Sequence, residues 1–315
     1  MRPWPRRIGS RHVAPVARTE TNNSAYGREA LRAQTRSFPL RNSVRFATAS
    51  VRQVTDPREA AQQVVDRGWS VGAGAVPAAL LGRLQAAFAA AVEHDLARRP
   101  ASCTEEPGRV LSLLDYGGPF LELAELPGLL GPFDGLLGSD CIYYTMTSSW
   151  APPGATAGPL HVDSTRTEGT GFLSVGAIVM LDDYTAANGG IRFLGGSSGT
   201  ALPDPDEFRR DAELVVAPAG SICWFDPCIW HGRGPNRTDV ARRAVVIGMV
   251  RPWMKQRLDH PAMLDDRSDG LSATLRQKLG FDSRVPSDRR QYYRRGAGSP
   301  PETVASTHPH TAAIG

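Results

Sequence analysis

Residues 214–231 read Leu214-Val215-Val216-Ala217-Pro218-Ala219-Gly220-Ser221-Ile222-Cys223-Trp224-Phe225-Asp226-Pro227-Cys228-Ile229-Trp230-His231. Two short apolar runs meet at Pro218-Ala219-Gly220, a turn sequence, so Leu214–Ala217 and Ser221–Phe225 are predicted to pair across it. A second turn then delivers His231 at the head of a Gly/Pro/Asn loop. Working outward, Gly171–Leu181 is a near-continuous apolar run of strand length, buried on both faces. Cys141–Trp150, Ile191–Leu194 and Arg242–Val250 are further strand candidates. Short strands broken at turns, with no helix between them, indicate a mainly β barrel or jelly roll and not a βαβ fold. Helical periodicity is confined to the flanks. A helix is predicted from Pro57, with Asp56 as cap, and another over Ala78–Arg98, with one more near Leu271–Leu279 on the C-terminal side. Between them Trp69–Gly72 reads as an edge strand, and residues 99–140 as a loop-plus-helix insertion near a site mouth.

His231 has candidate partners far away in sequence. In His161-Val162-Asp163, residues i and i+2 of an extended segment project to one face, so one cation can take both side chains. Two histidines and one carboxylate on one side of an octahedron leave open positions, the arrangement used by non-haem iron. An isolated His-x-Asp is a weak signal that a turn residue pairing with its neighbour also satisfies. The surroundings strengthen it, because both histidines sit at strand–loop junctions rich in Pro and Gly. On the strand from Arg242, residues Arg242, Ala244, Val246 and Gly248 share one face, suited to a lumen with a ligand in it. Arg243, Val245, Ile247 and Met249 share the other, which makes Arg243 a surface cation.

The run Leu181-Asp182-Asp183-Tyr184-Thr185 through Asn188-Gly189-Gly190, then Leu194-Gly195-Gly196-Ser197-Ser198 and His231-Gly-Arg-Gly-Pro-Asn-Arg-Thr-Asp-Val-Ala-Arg242, resembles the phytanoyl-CoA dioxygenase family. The resemblance spans roughly residues 55 to 295, with its specific motifs between 161 and 253. It implies a double-stranded β-helix (a cupin-like jelly roll) with flanking helices. It also implies Fe(2+) on His161, Asp163 and His231, and 2-oxoglutarate chelating that iron with its distal carboxylate on Arg242. Dioxygen is the second co-substrate, ascorbate a candidate reductant, and succinate and carbon dioxide the by-products. Related halogenases lack the carboxylate ligand, so Asp163 points to hydroxylation, with desaturation or ring closure left open. The chain departs from the family in two places. Arg233 stands where a small hydroxylic residue often helps to hold the co-substrate, and Gly195-Gly196-Ser197-Ser198 lacks the family's proline and histidine. Arg233 therefore joins Tyr144 and Ser148 as candidate co-substrate contacts, the last two on one row of the 141–150 strand. The opposite row holds Tyr143, Thr145 and Thr147, and hydrogen bonding within the sheet is the alternative role for Tyr144 and Ser148. A cupin-like jelly roll with a hydrolytic or purely binding role is the alternative function.

The chain has 315 residues, 41% of them hydrophobic, enough for one β-rich domain over 53–295. Its formal charge of +4 suggests nucleic acid or an anionic membrane, but the arginines from Arg2 to Arg52 face only Glu20 and Glu29. The excess thus belongs to a basic leader over 1–52, and no nucleic-acid partner is expected. That leader and a Pro/Ser/Thr-rich tail over 296–315 read as disordered. The cytoplasm is the expected compartment, with mitochondrial or plastid import left open by the leader. Cys103, Cys141, Cys223 and Cys228 form no Cys-x-x-Cys motif, and no apolar run is long enough to span a bilayer. The expected partner is a small molecule of specialised metabolism, acidic if Arg166, Arg192, Arg233 and Arg257 face it. The sequence leaves the oligomeric state open.

Overall fold

A computed structural model of the chain describes residues 54–103, 105–106, 108–165, 171–264, 269–286 and 288–294. The basic leader, the tail and Arg166 lie outside them. Helix α1 (Pro57–Arg67) starts where Asp56 accepts a hydrogen bond from the Arg58 N–H at 2.8 Å, and Pro57 fills the first-turn position where a missing N–H costs nothing. Gly68 ends the helix in the left-handed region and passes the chain to β1 (Trp69–Gly72). Helix α2 (Ala78–Arg98) buries Leu80, Leu84, Phe88, Ala91 and Val92, one stripe at helical spacing. Helices α3 (Pro119–Ala124) and α4 (Pro127–Leu137) lead into strand β2 (Ile142–Ala151).

The remaining strands are β3 (Ser174–Met180), β4 (Ile191–Phe193), β5 (Glu213–Leu214), β6 (Ile222–Phe225), β7 (His231–Arg233) and β8 (Arg242–Val250). They form two antiparallel sheets, a five-stranded one ordered β1-β6-β3-β8-β2 and a three-stranded one ordered β5-β4-β7. Short helices α5 (Pro205–Asp211), α6 (His260–Met263), α7 (Ala273–Leu279) and α8 (Arg289–Arg294) complete the described chain.

Each face of the large sheet has its own core. Val245, Ile247 and Met249 of β8 pack with Leu84, Phe88, Phe120 and Phe133 of the helical layer, and the Trp224 indole N–H donates to the Leu129 carbonyl at 3.1 Å. Inward, Ala244 and Val246 join Trp69, Ile178, Phe193 and Phe225, a cluster drawn from both sheets. The two rows predicted for β8 are therefore the two rows observed. The helices hold more residues than the strands, so the β layers carry the site without dominating the content. A five-stranded sheet needs a cover on its outer apolar face, and the helices supply it.

Four expectations need correction. Leu214 and Ser221–Phe225 do not pair with one another. Strand β5 pairs with β4 and β6 with β1 and β3, so the Pro218-Ala219-Gly220 turn carries the chain from one sheet to the other. In β2 the register shifts between Tyr143 and Thr145, which places Tyr143 with Met146 in the outer core and turns Thr147 inward. A bulge adds one residue and so reverses the alternation beyond it. Most of 99–140 packs beneath the large sheet, and only its first part reaches the site. Arg243 is no free surface cation, because Nη2 and Nε bind the Asp182 carboxylate at 2.7 and 3.0 Å.

Candidate active site

Residues 155–163 lie antiparallel to β7 and to the turn before it. Gly158 N–H donates to the Arg233 carbonyl at 3.0 Å, and His161 and His231 exchange backbone hydrogen bonds of 3.0 and 2.9 Å. Asp163 N–H reaches the Pro227 carbonyl at 2.8 Å. This seam sets the two imidazoles side by side, ring centres 4.3 Å apart. Each Nδ1 lies 3.0 Å from a carbonyl two residues back, that of Pro159 for His161 and of Ile229 for His231. A carbonyl only accepts, so both Nδ1 atoms carry the proton and both Nε2 atoms keep a lone pair for a cation. Asp163 Oδ1 stands 3.3 Å from His161 Nε2 and 3.7 Å from His231 Nε2, and the three ligand atoms lie within 4.8 Å of one another. Metal–ligand bonds of about 2 Å bring donors to such separations around a shared cation. Among the described residues no other such group of His, Cys, Asp and Glu occurs.

Electrostatics favours the metal-ready state at two of the three positions. Burial works to raise the Asp163 pKa, but the hydrogen bond from His161 and the charges of both histidines outweigh it and lower it. Burial lowers His231, which stays a neutral ligand. Burial also works to lower His161, yet the hydrogen bond and charge of Asp163 leave it raised.

The triad opens into a cavity of about 330 Å³ between the sheets. Ile178, Phe225 and Val246 form its apolar wall, and Arg242 and Tyr184 close one end. Arg242 is 3% exposed, with its guanidinium carbon 4.5 Å from the centre of the Tyr184 ring. Its Nε and Nη2 are buried without a hydrogen-bond partner. Those two N–H groups are the parallel pair on one edge of a guanidinium, spaced for both oxygens of one carboxylate. Leaving such donors bare in the protein interior is costly, so the end of the cavity fits the far carboxylate of a diacid.

Arg233 also borders the cavity, with Nη1 buried and unpartnered. Burial and the nearby Arg242 charge lower its pKa, while Glu106 and Tyr184 act to raise it. Ser148 lines the cavity, but its hydroxyl donates to the Gly108 carbonyl at 2.5 Å and accepts from the Val110 N–H at 2.6 Å, a structural pairing with the neighbouring loop and not within the sheet. Tyr144 sits at the bulge, 37% exposed, and does not border the cavity. Of the arginines proposed for an acidic substrate, Arg166 lies outside the described residues; among the described ones Arg192 lines a smaller neighbouring pocket, Arg257 is exposed, and Arg233 borders the cavity.

The sequence placed 99–140 near the mouth but singled out none of the residues that form the rim. Residues 108–113 run along the outer edge of β2, pinned where Ser148 N–H meets the Val110 carbonyl and Leu113 N–H the Met146 carbonyl. The Arg99 guanidinium gathers the carbonyls of Glu105, Glu106 and Arg109. Glu106, Arg109 and Trp150 thereby come to the mouth of the cavity. Tyr184 and Thr147 were missed as well, although Tyr184 stands in the motif and Thr147 on the row not chosen.

A profile of the family described as phytanoyl-CoA dioxygenase matches residues 51–244. The chain belongs to the phytanoyl-CoA dioxygenase family. Within reach of that family, it is 27% identical over 197 residues to an uncharacterised protein of Mycobacterium tuberculosis, covering 60% of this chain and 72% of that one. It is 25% identical over 144 residues to the dioxygenase lolE1 of Epichloe uncinata, 43% of this chain and 56% of that protein, so it spans little more than half of that relative's length. Among solved structures it resembles HygX from Streptomyces hygroscopicus, which was crystallised with nickel and 2-oxoglutarate bound. The TM-score is 0.52 at 16% identity, covering 63% of this chain and 88% of that one. This last likeness concerns the fold, the family's cupin-like jelly roll.

Proposed function

We propose that this family member is an Fe(II)- and 2-oxoglutarate-dependent dioxygenase that hydroxylates an unactivated C–H bond of a small molecule, in specialised metabolism. The observation that carries the reading is the bare edge of Arg242, turned into the cavity that the His161, Asp163 and His231 ligand atoms share. The donor set of two imidazoles and one carboxylate suits ferrous iron with open positions. The dioxygenase name of lolE1 and the 2-oxoglutarate held by HygX support it. No observation favours ascorbate.

An iron–2-oxoglutarate centre supplies an oxidant derived from dioxygen, with succinate and carbon dioxide as the spent co-substrate. The chain's own residues supply the rest. The Pro159 and Ile229 carbonyls hold the two imidazoles in the tautomer and orientation that ligation needs. Arg242, backed by the Tyr184 ring, fixes the far end of the diacid. Ile178, Phe225 and Val246 exclude water from the reacting region, where charge interactions are stronger than in bulk solvent. Asp163 occupies the ligand position that would otherwise be open to halide.

The test is anaerobic addition of Fe(II) and 2-oxoglutarate to the full chain, following the weak visible charge-transfer band of the chelate. The band is expected in the wild type and absent in Asp163→Ala and Arg242→Ala. A protein that shows no band, works with zinc and tolerates Arg242→Ala would be a cupin-like hydrolase or binding module instead.

A further inference from the structure

Arg233 holds a position in the cavity that the co-substrate does not explain. It follows His231 by two residues on β7, so both side chains leave the strand on the lumen side. The stem lies in a slot opposite Gly158, where an added Cβ would come within 2.8 Å of Arg233 Cγ. Its Nη1 is buried and has no partner. Arg242 lies toward the buried end, and the charges at the rim are Glu106 and Arg109, both exposed.

A count of charges and of hydrogen-bond donors leads to the same place. On the 2-oxoglutarate reading above, the ferrous charge is offset by Asp163 and the chelating carboxylate, and Arg242 offsets the distal one. The Nε and Nη2 of Arg242 already provide a donor for each oxygen of that distal group. Arg233 remains as a half-buried cation with a bare, buried N–H. Glu106 is exposed, so solvent screens its charge and leaves the buried Nη1 of Arg233 without a partner. At about 330 Å³ the cavity is at the small end for organic ligands, so whatever shares it with the diacid is compact.

We propose that the substrate is a compact carboxylic acid whose carboxylate binds Arg233, leaving Arg242 as the guanidinium that holds 2-oxoglutarate. Arg233 is then a specificity-determining residue on the substrate side. The carboxylate fixes one end of the substrate while its C–H bond is presented to the triad, and esters or amides of the same skeleton lose that anchor.

The test uses the full chain loaded with Mn(II) and saturating 2-oxoglutarate under anaerobic conditions. Butyrate, hexanoate and benzoate serve as probes beside their primary amides. Paramagnetic broadening of probe protons by Mn(II) reports binding next to the triad, and calorimetry reports the 2-oxoglutarate affinity of each variant. The wild type is expected to broaden at least one carboxylate and none of the amides. Arg233→Gln should weaken carboxylate binding by at least about tenfold, and Arg233→Lys by less, while 2-oxoglutarate affinity stays within about threefold of wild type in both. Arg242→Gln should lose most of the 2-oxoglutarate affinity. The proposal is overturned if Arg233→Gln costs as much 2-oxoglutarate affinity as Arg242→Gln, which would make Arg233 a second co-substrate contact. It is equally overturned if amides bind like carboxylates, if no carboxylate is broadened, or if binding survives Arg233→Gln. Failure of the wild type to bind 2-oxoglutarate with Mn(II) removes the dioxygenase reading itself, a different result from loss of the carboxylate signal alone.

Discussion

Arg242 has two N–H groups inside the protein with nothing to bind, which marks it as a residue waiting for an anion. Truncating one member of a buried, hydrogen-bonded charge pair costs about 2–5 kcal/mol, so Arg242→Gln should weaken 2-oxoglutarate by that amount in calorimetry with Mn(II) in place of iron. Asp163→Ala removes the carboxylate that bridges two imidazoles at 3.3 and 3.7 Å, and the purified variant should retain no stoichiometric iron when its metal content is measured. Arg242 and the triad were legible because strand parity needs no tertiary knowledge: i and i+2 share a face wherever the strand is regular. Tyr144 was misplaced because parity fails at a bulge, and nothing in Tyr143-Tyr144-Thr145 announces one. Ser148 illustrates a second limit, since its hydroxyl is consumed by a loop 38 and 40 residues away in sequence.

Among the elements, the rim is the least readable and the most exacting. Gly108 adopts a φ of +86°, and a Cβ there would lie 1.9 Å from Trp150 Cε3, with the ring held between that loop and the sheet. Gly108→Ala combines backbone strain with overpacking, so a loss of about 1–3 kcal/mol is expected in urea unfolding. Binding of 2-oxoglutarate, proposed above to lie against Arg242, should change little in the same variant. The hairpin expected across Pro218-Ala219-Gly220 failed for a related reason. Turn chemistry shows that the chain reverses, yet β5 and β6 separate into different sheets, and only the long-range partners of each strand decide that.

On the scale of the whole molecule, the helical layer and the two sheets form cores that meet only through the large sheet. No helix among the described residues is long and apolar enough to cross a membrane. Outside the site, the chain stores a pH sensitivity in His260, 1% exposed and pushed by burial down to about 4 from an ordinary value of 6.5. Above pH 6.5 the histidine is neutral whether the chain is folded or not, so it makes no difference. Between 6.5 and 4 the unfolded chain takes up a proton that the folded one refuses, and stability falls by up to about 3 kcal/mol across that window. Urea midpoints measured from pH 7 to 4 should show the decline, and His260→Leu should make it shallower, leaving the part that the buried His231 contributes.

The hydrogen bonds that His161 and His231 exchange form a β-bridge outside any named strand on the His161 side, flanked by single bonds from Gly158 N–H to the Arg233 carbonyl and from Asp163 N–H to the Pro227 carbonyl. Such a join opens by local fluctuation more easily than the ladder between β2 and β8. A cation held by both imidazoles cross-links the same two residues through their side chains. Deuterium uptake at the amides of 161 and 231 should therefore slow when metal is added, so that the backbone itself reports occupancy without any chromophore.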